Sequence, residues 1–178
     1  MLLTNVALLD EVLQPYGSAL GKDFAGYRNH TYRVVNFCVA FSTNDSVALE
    51  KMAIAAAFHD LGIWTDGTFD YLPPSERLAE ACLATKGKLE WAPEIGAMIH
   101  EHHKLTRYRP NADWLVEAFR KADSVDVSLG IITFGLPRKF VREVRSTFPN
   151  AGFHKRLVQL SIQRLLSHPL NPLPMYRL

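Results

Sequence analysis

The pair His59-Asp60 is the part of this chain best suited to hold a metal. It ends an apolar run, MAIAAAFHDLG, in which a carboxylate is costly to bury unless a cation or a hydrogen-bond network faces it. Another histidine, His30, precedes the pair, and Asp123 follows it. Two imidazoles and two carboxylates can hold one divalent metal, so the first hypothesis is a metal site formed by His30, His59, Asp60 and Asp123.

Two further groups of residues compete for roles at such a site. The segment IHEHHK contains three histidines in four residues. On a continuous helix His100 and His103 share a face, whereas His102 points elsewhere. A solvated helix end, where cationic side chains favour the helix dipole, is the alternative explanation for this segment. Asp126 lies three residues after Asp123, so from the residues alone either carboxylate is a candidate ligand.

Basic side chains flank these candidate ligands on both sides. Arg28 and Arg33 bracket His30, and Lys104, Arg107 and Arg109 follow the histidine segment. Cations close to a metal suit a phosphate-bearing substrate. A solvated loop has the same composition, so the alternative stays open.

Helical periodicity dominates the chain and must supply the elements that position these residues. The spacing of apolar residues and caps predicts helices over 2–14, 29–41, 46–61, 76–86, 93–104, 112–128, 138–147 and 152–167. The third of these has Asn44 or Asp45 as its N-cap and Gly62 as its C-cap, and Ser75 caps the fourth. His30 is expected in a first helical turn, and His59-Asp60 in a last one.

The segment WTDGTFDYLPPS has no helical period and is predicted to be a loop beside His59-Asp60. Asp66, Asp70 and Tyr71 within it form either a substrate lid or an ordinary surface loop. Because alternating apolar and polar runs are nearly absent, the prediction is an all-α domain of seven or eight helices spanning 1–178. Its ligands would converge from separate helices into the centre of a bundle.

Composition limits the partners and the compartment. With 178 residues and 48% hydrophobic content, the chain can bury one core. Twenty Lys and Arg against eighteen Asp and Glu give no strong reason to expect a nucleic acid polymer or an anionic membrane as partner. Cys38 and Cys82 lie in apolar helical patterns typical of reduced core cysteines. With neither a signal-peptide pattern nor an apolar run of about eighteen residues, the expectation is a cytoplasmic protein without a membrane span.

The order H…HD…D on helical segments resembles the HD-domain superfamily of metal-dependent phosphohydrolases. The residues HTYRVVNF, which begin at His30, resemble its first motif, and KAD resembles its closing motif. The resemblance covers about 26–128. It favours Asp123 over Asp126 as the closing ligand, and it implies a divalent transition metal (Mn, Fe, Co, Ni or Zn) held by His30, His59, Asp60 and Asp123.

The chain departs from this superfamily at two points. Many members continue the pair as HDIGK, whereas this chain has HDLGIW, and the GYP motif of the cyclic-dinucleotide phosphodiesterases is absent. In dinuclear members the additional histidines come from two separated positions, whereas here they come from one turn. These departures favour a mononuclear site and argue against cyclic dinucleotides as substrates.

What the resemblance implies is hydrolysis of a small phosphate ester, such as a nucleotide. Asp60 would orient the attacking water, and His100 or His103 would protonate the leaving oxygen. The residues expected to bind the substrate are Arg28, Arg33, Lys104 and Arg107. Two alternatives stay open: a di-iron oxygenase in which His100 and His103 help to hold a second iron, and a non-catalytic sensor that binds a metal or a nucleotide.

Overall fold

Helices form the whole of the regular structure in the described residues. The computed structural model describes residues 2–42, 45–170 and 174–175. Within these ranges there is no strand, so the predicted all-α class is confirmed. The described α-helices are α1 (Ala7–Leu13), α2 (Gly17–Leu20), α3 (Phe24–Phe41), α4 (Ser46–Phe58), α5 (Gly62–Thr65), α6 (Leu72–Thr85), α7 (Ala92–Glu101), α8 (Val116–Val127), α9 (Arg138–Thr147) and α10 (Phe153–Ser167). None of them is both long and apolar enough to cross a membrane.

Helix α3 begins earlier than its sequence pattern predicts. Residues 15–23, which fall between the helices predicted over 2–14 and 29–41, form short helical turns, and α3 starts at Phe24 instead of residue 29. Gly26 lies inside α3 where it approaches another part of the chain, since an added Cβ would be 3.0 Å from the carbonyl oxygen of Ala151. His30 therefore lies in the second turn of α3, and its predicted place in a first turn is wrong.

The turn after α4 presents His59 and Asp60. Helix α4 begins as predicted, because the Asp45 side chain accepts a hydrogen bond from the Ala48 amide at 2.7 Å; the alternative cap, Asn44, lies outside the described residues. It ends at Phe58, so His59 and Asp60 lie in the turn to α5 instead of in a last helical turn.

Close packing between α5 and α6 explains two incorrect caps. Gly62 starts α5 instead of capping α4, and an added Cβ there would lie 2.6 Å from the Tyr71 carbonyl oxygen. Helix α6 starts at Leu72, and the Ser75 hydroxyl accepts a hydrogen bond from the Gly62 amide at 3.0 Å. Ser75 therefore ties the two helices together and caps neither.

The core lies where α3 packs between α4 and α8. Tyr27, Phe37 and Phe119 are fully buried there. Cys38 is buried in this core and Cys82 is half-buried, and both are free thiols. Helices α3 and α8 and the turn that follows α4 carry the four predicted ligands, so the packing that forms the core also brings those ligands together.

Candidate metal centre

Six side chains from four separate parts of the fold converge at the centre of the bundle. His30 comes from α3, Asp123 from α8, and two adjacent pairs come from the turns that follow α4 and α7. All but His103 have no more than 3% of their surface exposed. We call this group the His/Asp cluster: His30, His59, Asp60, His102, His103 and Asp123.

One half of the His/Asp cluster consists of the four ligands expected from the sequence. The Nε2 atoms of His30 and His59 lie 2.9 Å apart. Asp60 Oδ2 is 3.7 Å from the first and 3.4 Å from the second, and Asp123 Oδ1 is 3.7 Å from both. Two ligands at 2.0–2.2 Å from one metal, at angles of about 90–110°, are separated by about 2.8–3.6 Å. These spacings are therefore close to those of a shared metal.

The hydrogen bonds of both imidazoles leave their Nε2 atoms available as ligands. His30 Nδ1 lies 2.6 Å from Asp126 Oδ2, and His59 Nδ1 lies 2.9 Å from the carbonyl oxygen of Ala56. Because these oxygens accept hydrogen bonds, the Nδ1 atoms are assigned as the donors. When both rings are neutral, their Nε2 lone pairs point towards one another, so either a proton, which makes this contact a hydrogen bond, or a metal ion is needed between them.

The other half of the cluster contains His102 and His103. His102 Nε2 is 3.4 Å from Asp60 Oδ1, and His103 Nδ1 is 3.5 Å from Asp123 Oδ2. The Nδ1 atom of His102 donates a hydrogen bond to the Ile99 carbonyl oxygen at 2.6 Å, so its Nε2 is likewise available. Each aspartate therefore directs one oxygen to each half of the cluster.

Buried carboxylate oxygens without hydrogen bonds show that a cation fits this cluster. Asp60 Oδ1 and both oxygens of Asp123 are buried and have no hydrogen-bond partner among the described residues. Such oxygens are costly to bury unless a positive charge faces them. Two overlapping groups, His30/His59/Asp60 and Asp60/His102/His103, each offer three ligand atoms that lie within 4.8 Å of one another. The buried residues can thus hold a metal ion.

Burial and the neighbouring charges shift the pKa values of His59 and His103 in opposite directions. Burial lowers the pKa of His59, but the charges of Asp60 and Asp123 outweigh it and raise that pKa to about 9. Burial, together with the neighbouring His102, lowers the pKa of His103 to about 3. Without a metal, His59 therefore carries a proton at pH 7 and His103 is neutral.

Asp126 and Arg33 support His30 from behind. Asp126 is fully buried, and its two oxygens accept hydrogen bonds from Arg33 Nε at 2.5 Å and Nη2 at 2.8 Å, in addition to the bond from His30. Burial acts to raise the pKa of Asp126, but the hydrogen bonds from His30 and Arg33 outweigh it and lower that pKa well below its usual range. A carboxylate behind a ligand histidine fixes the orientation of the ring and its tautomer.

The basic residues predicted to bind substrate do not gather at the His/Asp cluster. Arg33 is buried on Asp126, and Arg28 bonds Asp10 at 2.6 and 2.7 Å. Positions 28 and 30 of a helix point about 200° apart, which directs Arg28 away from the cluster. Lys104 pairs with Glu101 at 3.0 Å, and Arg107 is exposed. Carboxylates outside the His/Asp cluster bind the guanidinium groups of Arg28 and Arg33, so the position of these two residues gives no support to their predicted role in substrate binding.

The predicted orientation of the three clustered histidines is also wrong. His100 Nδ1 lies 2.7 Å from Glu76 Oε1, and both side chains are 36% exposed. Helix α7 ends at Glu101, so helical spacing no longer applies to the two residues that follow. The resulting turn directs both His102 and His103 inwards, and the catalytic role expected for His100 has no support in its position.

A cavity of about 350 Å³ opens onto Asp60 and His103. We call it the apolar cavity, because most of its remaining lining residues are apolar. These remaining residues are Ile63, Phe69, Tyr71, Val127, Leu129, His154, Leu157, Val158, Ser161 and Met175. The Tyr71 hydroxyl lies 2.8 Å from His103 Nε2 and 3.4 Å from His102 Nε2, at the boundary between the cavity and the cluster.

Sequence reasoning missed His102 and His154 and found only part of the role of Tyr71. The Nε2 atom of His154, on α10, donates to the Asp126 carbonyl oxygen at 3.0 Å. Tyr71 was a possible lid residue together with Asp66 and Asp70. In the structure Tyr71 is buried against the histidines, whereas Asp66 pairs with Arg77 at the surface. The one signal in the sequence was the proximity of this aromatic loop to His59-Asp60.

Comparison of the chain with protein-family models, with curated proteins and with solved structures gives no match. The resemblance to the HD-domain superfamily therefore rests on the motif residues themselves. In the structure these motif residues come together in the His/Asp cluster.

Proposed function

We propose that this protein is a metal-dependent phosphohydrolase that acts on a small phosphate ester through a dinuclear centre. One observation carries the proposal: Asp60 and Asp123 each face two histidine-containing groups with two different oxygens. Bridging carboxylates of this kind are suited to holding two cations a few ångströms apart, as in enzymes that cleave phosphate esters. This replaces the single metal expected from the sequence.

Divalent metals held by the cluster would polarise a phosphoryl oxygen and activate water as the nucleophile. The chain's own residues provide the setting for that chemistry. Asp126 orients His30, and the cluster's burial excludes bulk water, which strengthens electrostatic interactions with a developing negative charge. Because no arginine or lysine among the described residues lines the cavity beside the cluster, the proposal assigns phosphate binding chiefly to the metals.

The proton for the leaving group needs a donor other than the two predicted, His100 and His103. In the reaction, water attacks phosphorus, the bond from phosphorus to the ester oxygen breaks, and that oxygen takes up a proton to give an alcohol and inorganic phosphate. His103, with its pKa lowered to about 3, is neutral at pH 7 and better suited to be a ligand than an acid. The Tyr71 hydroxyl lies between the cluster and the cavity, so we assign proton donation to it.

The proposal is tested by phosphate release from generic phosphate esters with Mn, Fe, Co, Ni or Zn. Asp60→Asn keeps the shape of the side chain but removes the charge shared by both halves of the cluster. We expect it to lower metal-dependent turnover at least about a thousandfold. Asp10→Asn is the matched control, because Asp10 binds Arg28 outside the cluster, and it should keep full activity. Undiminished activity in Asp60→Asn would refute the proposal.

A di-iron oxygenase is the second candidate, and the apolar cavity favours it. An apolar cavity beside two potential metal positions suits an organic substrate at least as well as a phosphate. Aerobic oxygen consumption by the iron-loaded protein, without phosphate release from any ester, would favour the oxygenase over the phosphohydrolase. A metal-binding sensor would show neither activity, but its melting temperature would rise with a metal or a nucleotide.

A further inference from the structure

The apolar cavity is the place where the part of the substrate that does not react can lie. It reaches the cluster at Asp60 and His103 and extends away from them between the end of α8 and one face of α10. A larger cleft of about 540 Å³ lies nearby, lined in part by Arg156, Gln163 and Arg164, but none of its described lining residues belongs to the cluster. Of these two spaces, the apolar cavity is therefore the one that a group attached to a phosphate at the cluster would enter.

The walls of this cavity provide few polar contacts. The Ser161 hydroxyl donates to the Leu157 carbonyl oxygen at 2.9 Å. The two ring nitrogens of His154 lie 3.0 Å from the Asp126 carbonyl oxygen and 2.8 Å from Asn150 Nδ2. These groups are occupied by bonds within the protein. A nucleobase or sugar placed there would lose hydrogen bonds to water without replacing them, which disfavours a nucleotide.

The rim of the cavity is apolar too. Leu129 and Val158 line it and are 47% and 58% exposed. Exposed apolar side chains at the mouth of a cavity suit the entry of an apolar group, because they lose contact with water when it binds.

The volume indicates the size of that group. A cavity of about 150 Å³ holds one benzene molecule, and this one is more than twice as large. It therefore accommodates a chain or ring system of about six to twelve carbon atoms.

We propose that the substrate is the phosphate ester of an apolar alcohol, alkyl or aryl, whose carbon skeleton occupies the apolar cavity. This inference rests on the proposed function for the phosphate group, whereas the apolar selectivity rests on the cavity alone. It replaces the nucleotide expected from the sequence.

The test separates binding from turnover by using phosphonates, which cannot be hydrolysed. Calorimetry would measure the binding of n-alkylphosphonates from methyl to octyl to the metal-loaded protein. Phosphate release from the matching n-alkyl phosphates would be measured in parallel. Each methylene group that becomes buried should tighten binding about fourfold until the cavity is full. Octylphosphonate should therefore bind at least about a hundredfold more tightly than methylphosphonate.

Two variants on one helix provide the matched control. Val158 and Ile162 are both exposed β-branched residues of α10, one turn apart, but Ile162 does not line the cavity. Val158→Gln should weaken octylphosphonate binding about three- to tenfold and leave methylphosphonate binding unchanged. Ile162→Gln should change neither. Because both side chains are exposed, both variants should fold, which their melting temperatures would verify.

The outcomes distinguish the inference from the function on which it rests. Binding that strengthens with chain length but no phosphate release would support an apolar substrate and refute hydrolysis. Phosphate release that is equal for all chain lengths would support hydrolysis and overturn the apolar substrate. Equal or absent binding of methyl- and octylphosphonate would overturn the inference in every case.

Discussion

Asp126 gives the sharpest test of how the fold supports the metal ligands. Asp126→Asn keeps the size of the side chain but replaces one acceptor oxygen by an NH2 group that donates. The native carboxylate accepts from His30 and twice from Arg33, and all three groups are buried. In the variant the new NH2 group faces an N–H group of His30 or Arg33, so two donors meet, and the charge of Arg33 loses its buried partner.

The size of the effect follows from this burial. Breaking a buried ion pair by removing one partner costs about 3–5 kcal/mol. For a chain of this length 1 kcal/mol corresponds to about 2–4 °C, so the melting temperature should fall by about 6–20 °C. Loss of the carboxylate behind His30 should also weaken metal binding about 10- to 100-fold.

Glu76→Gln is the matched control for this variant. Its carboxylate lies 2.7 Å from His100 Nδ1, close to the 2.6 Å between Asp126 and His30, but both partners are 36% exposed. Exposed pairs contribute about 0–1 kcal/mol, so the expected loss is at most about 4 °C, with unchanged metal affinity. Differential scanning calorimetry and metal titration measure both quantities. If Asp126→Asn lost no more stability or metal affinity than Glu76→Gln, the support of His30 by Asp126 would be refuted.

His59, Tyr71 and Gly62 can each be tested separately from Asp126. Asp60 and Asp123 raise the pKa of His59 to about 9, so metal binding at pH 7 should release the proton of His59, and the metal affinity should rise about tenfold per pH unit up to about pH 9. Calorimetry in buffers of different ionisation enthalpy measures the released proton, and a metal affinity that does not change with pH would contradict the prediction. Tyr71→Phe should slow the hydrolysis of alkyl phosphates about 100-fold or more but barely affect the hydrolysis of p-nitrophenyl phosphate, whose leaving group needs no proton. An equal loss of turnover for both esters would rule out proton donation by Tyr71. Gly62→Ala places a Cβ 2.6 Å from the Tyr71 carbonyl oxygen and should lower the free energy of unfolding in denaturant by about 1–3 kcal/mol, whereas Gly96→Ala, whose Cβ would have no neighbour within 4 Å among the described residues, should not destabilise. Equal effects of the two substitutions would contradict a tight contact between α5 and α6.

The helical class and the first half of the site were predictable because both follow from local patterns. Apolar spacing of three and four residues predicted the buried faces of α3, α4 and α8. A carboxylate in an apolar run indicated that Asp60 needs a positive partner. The spacing and the burial cost together indicate that His30, His59 and Asp60 are buried, whereas only the resemblance to the HD-domain superfamily favoured Asp123 over Asp126.

The second half of the site was not predictable because it depends on where a helix ends. Helical spacing assigned His100 and His103 to one face, but α7 stops at Glu101, and His102 turns inwards with His103. No capping residue marks this end in the sequence.

The role of Arg33 and the apolar cavity depend on contacts between distant parts of the chain. Asp126, the partner of Arg33, is 93 residues away in sequence. The cavity combines side chains from α8, α10 and Met175 with those near α5. Spacing within one helix carries no information about such contacts.

Metal content per chain tests the dinuclear centre most directly. After loading and dialysis, elemental analysis should find two metal ions per chain in the wild-type protein and in His100→Ala, whose side chain lies on Glu76 outside the cluster. His102→Ala removes a ligand from only one half and should retain about one. A single ion in the wild-type protein, or two in His102→Ala, would contradict the assignment of His102 and His103 to a second metal position.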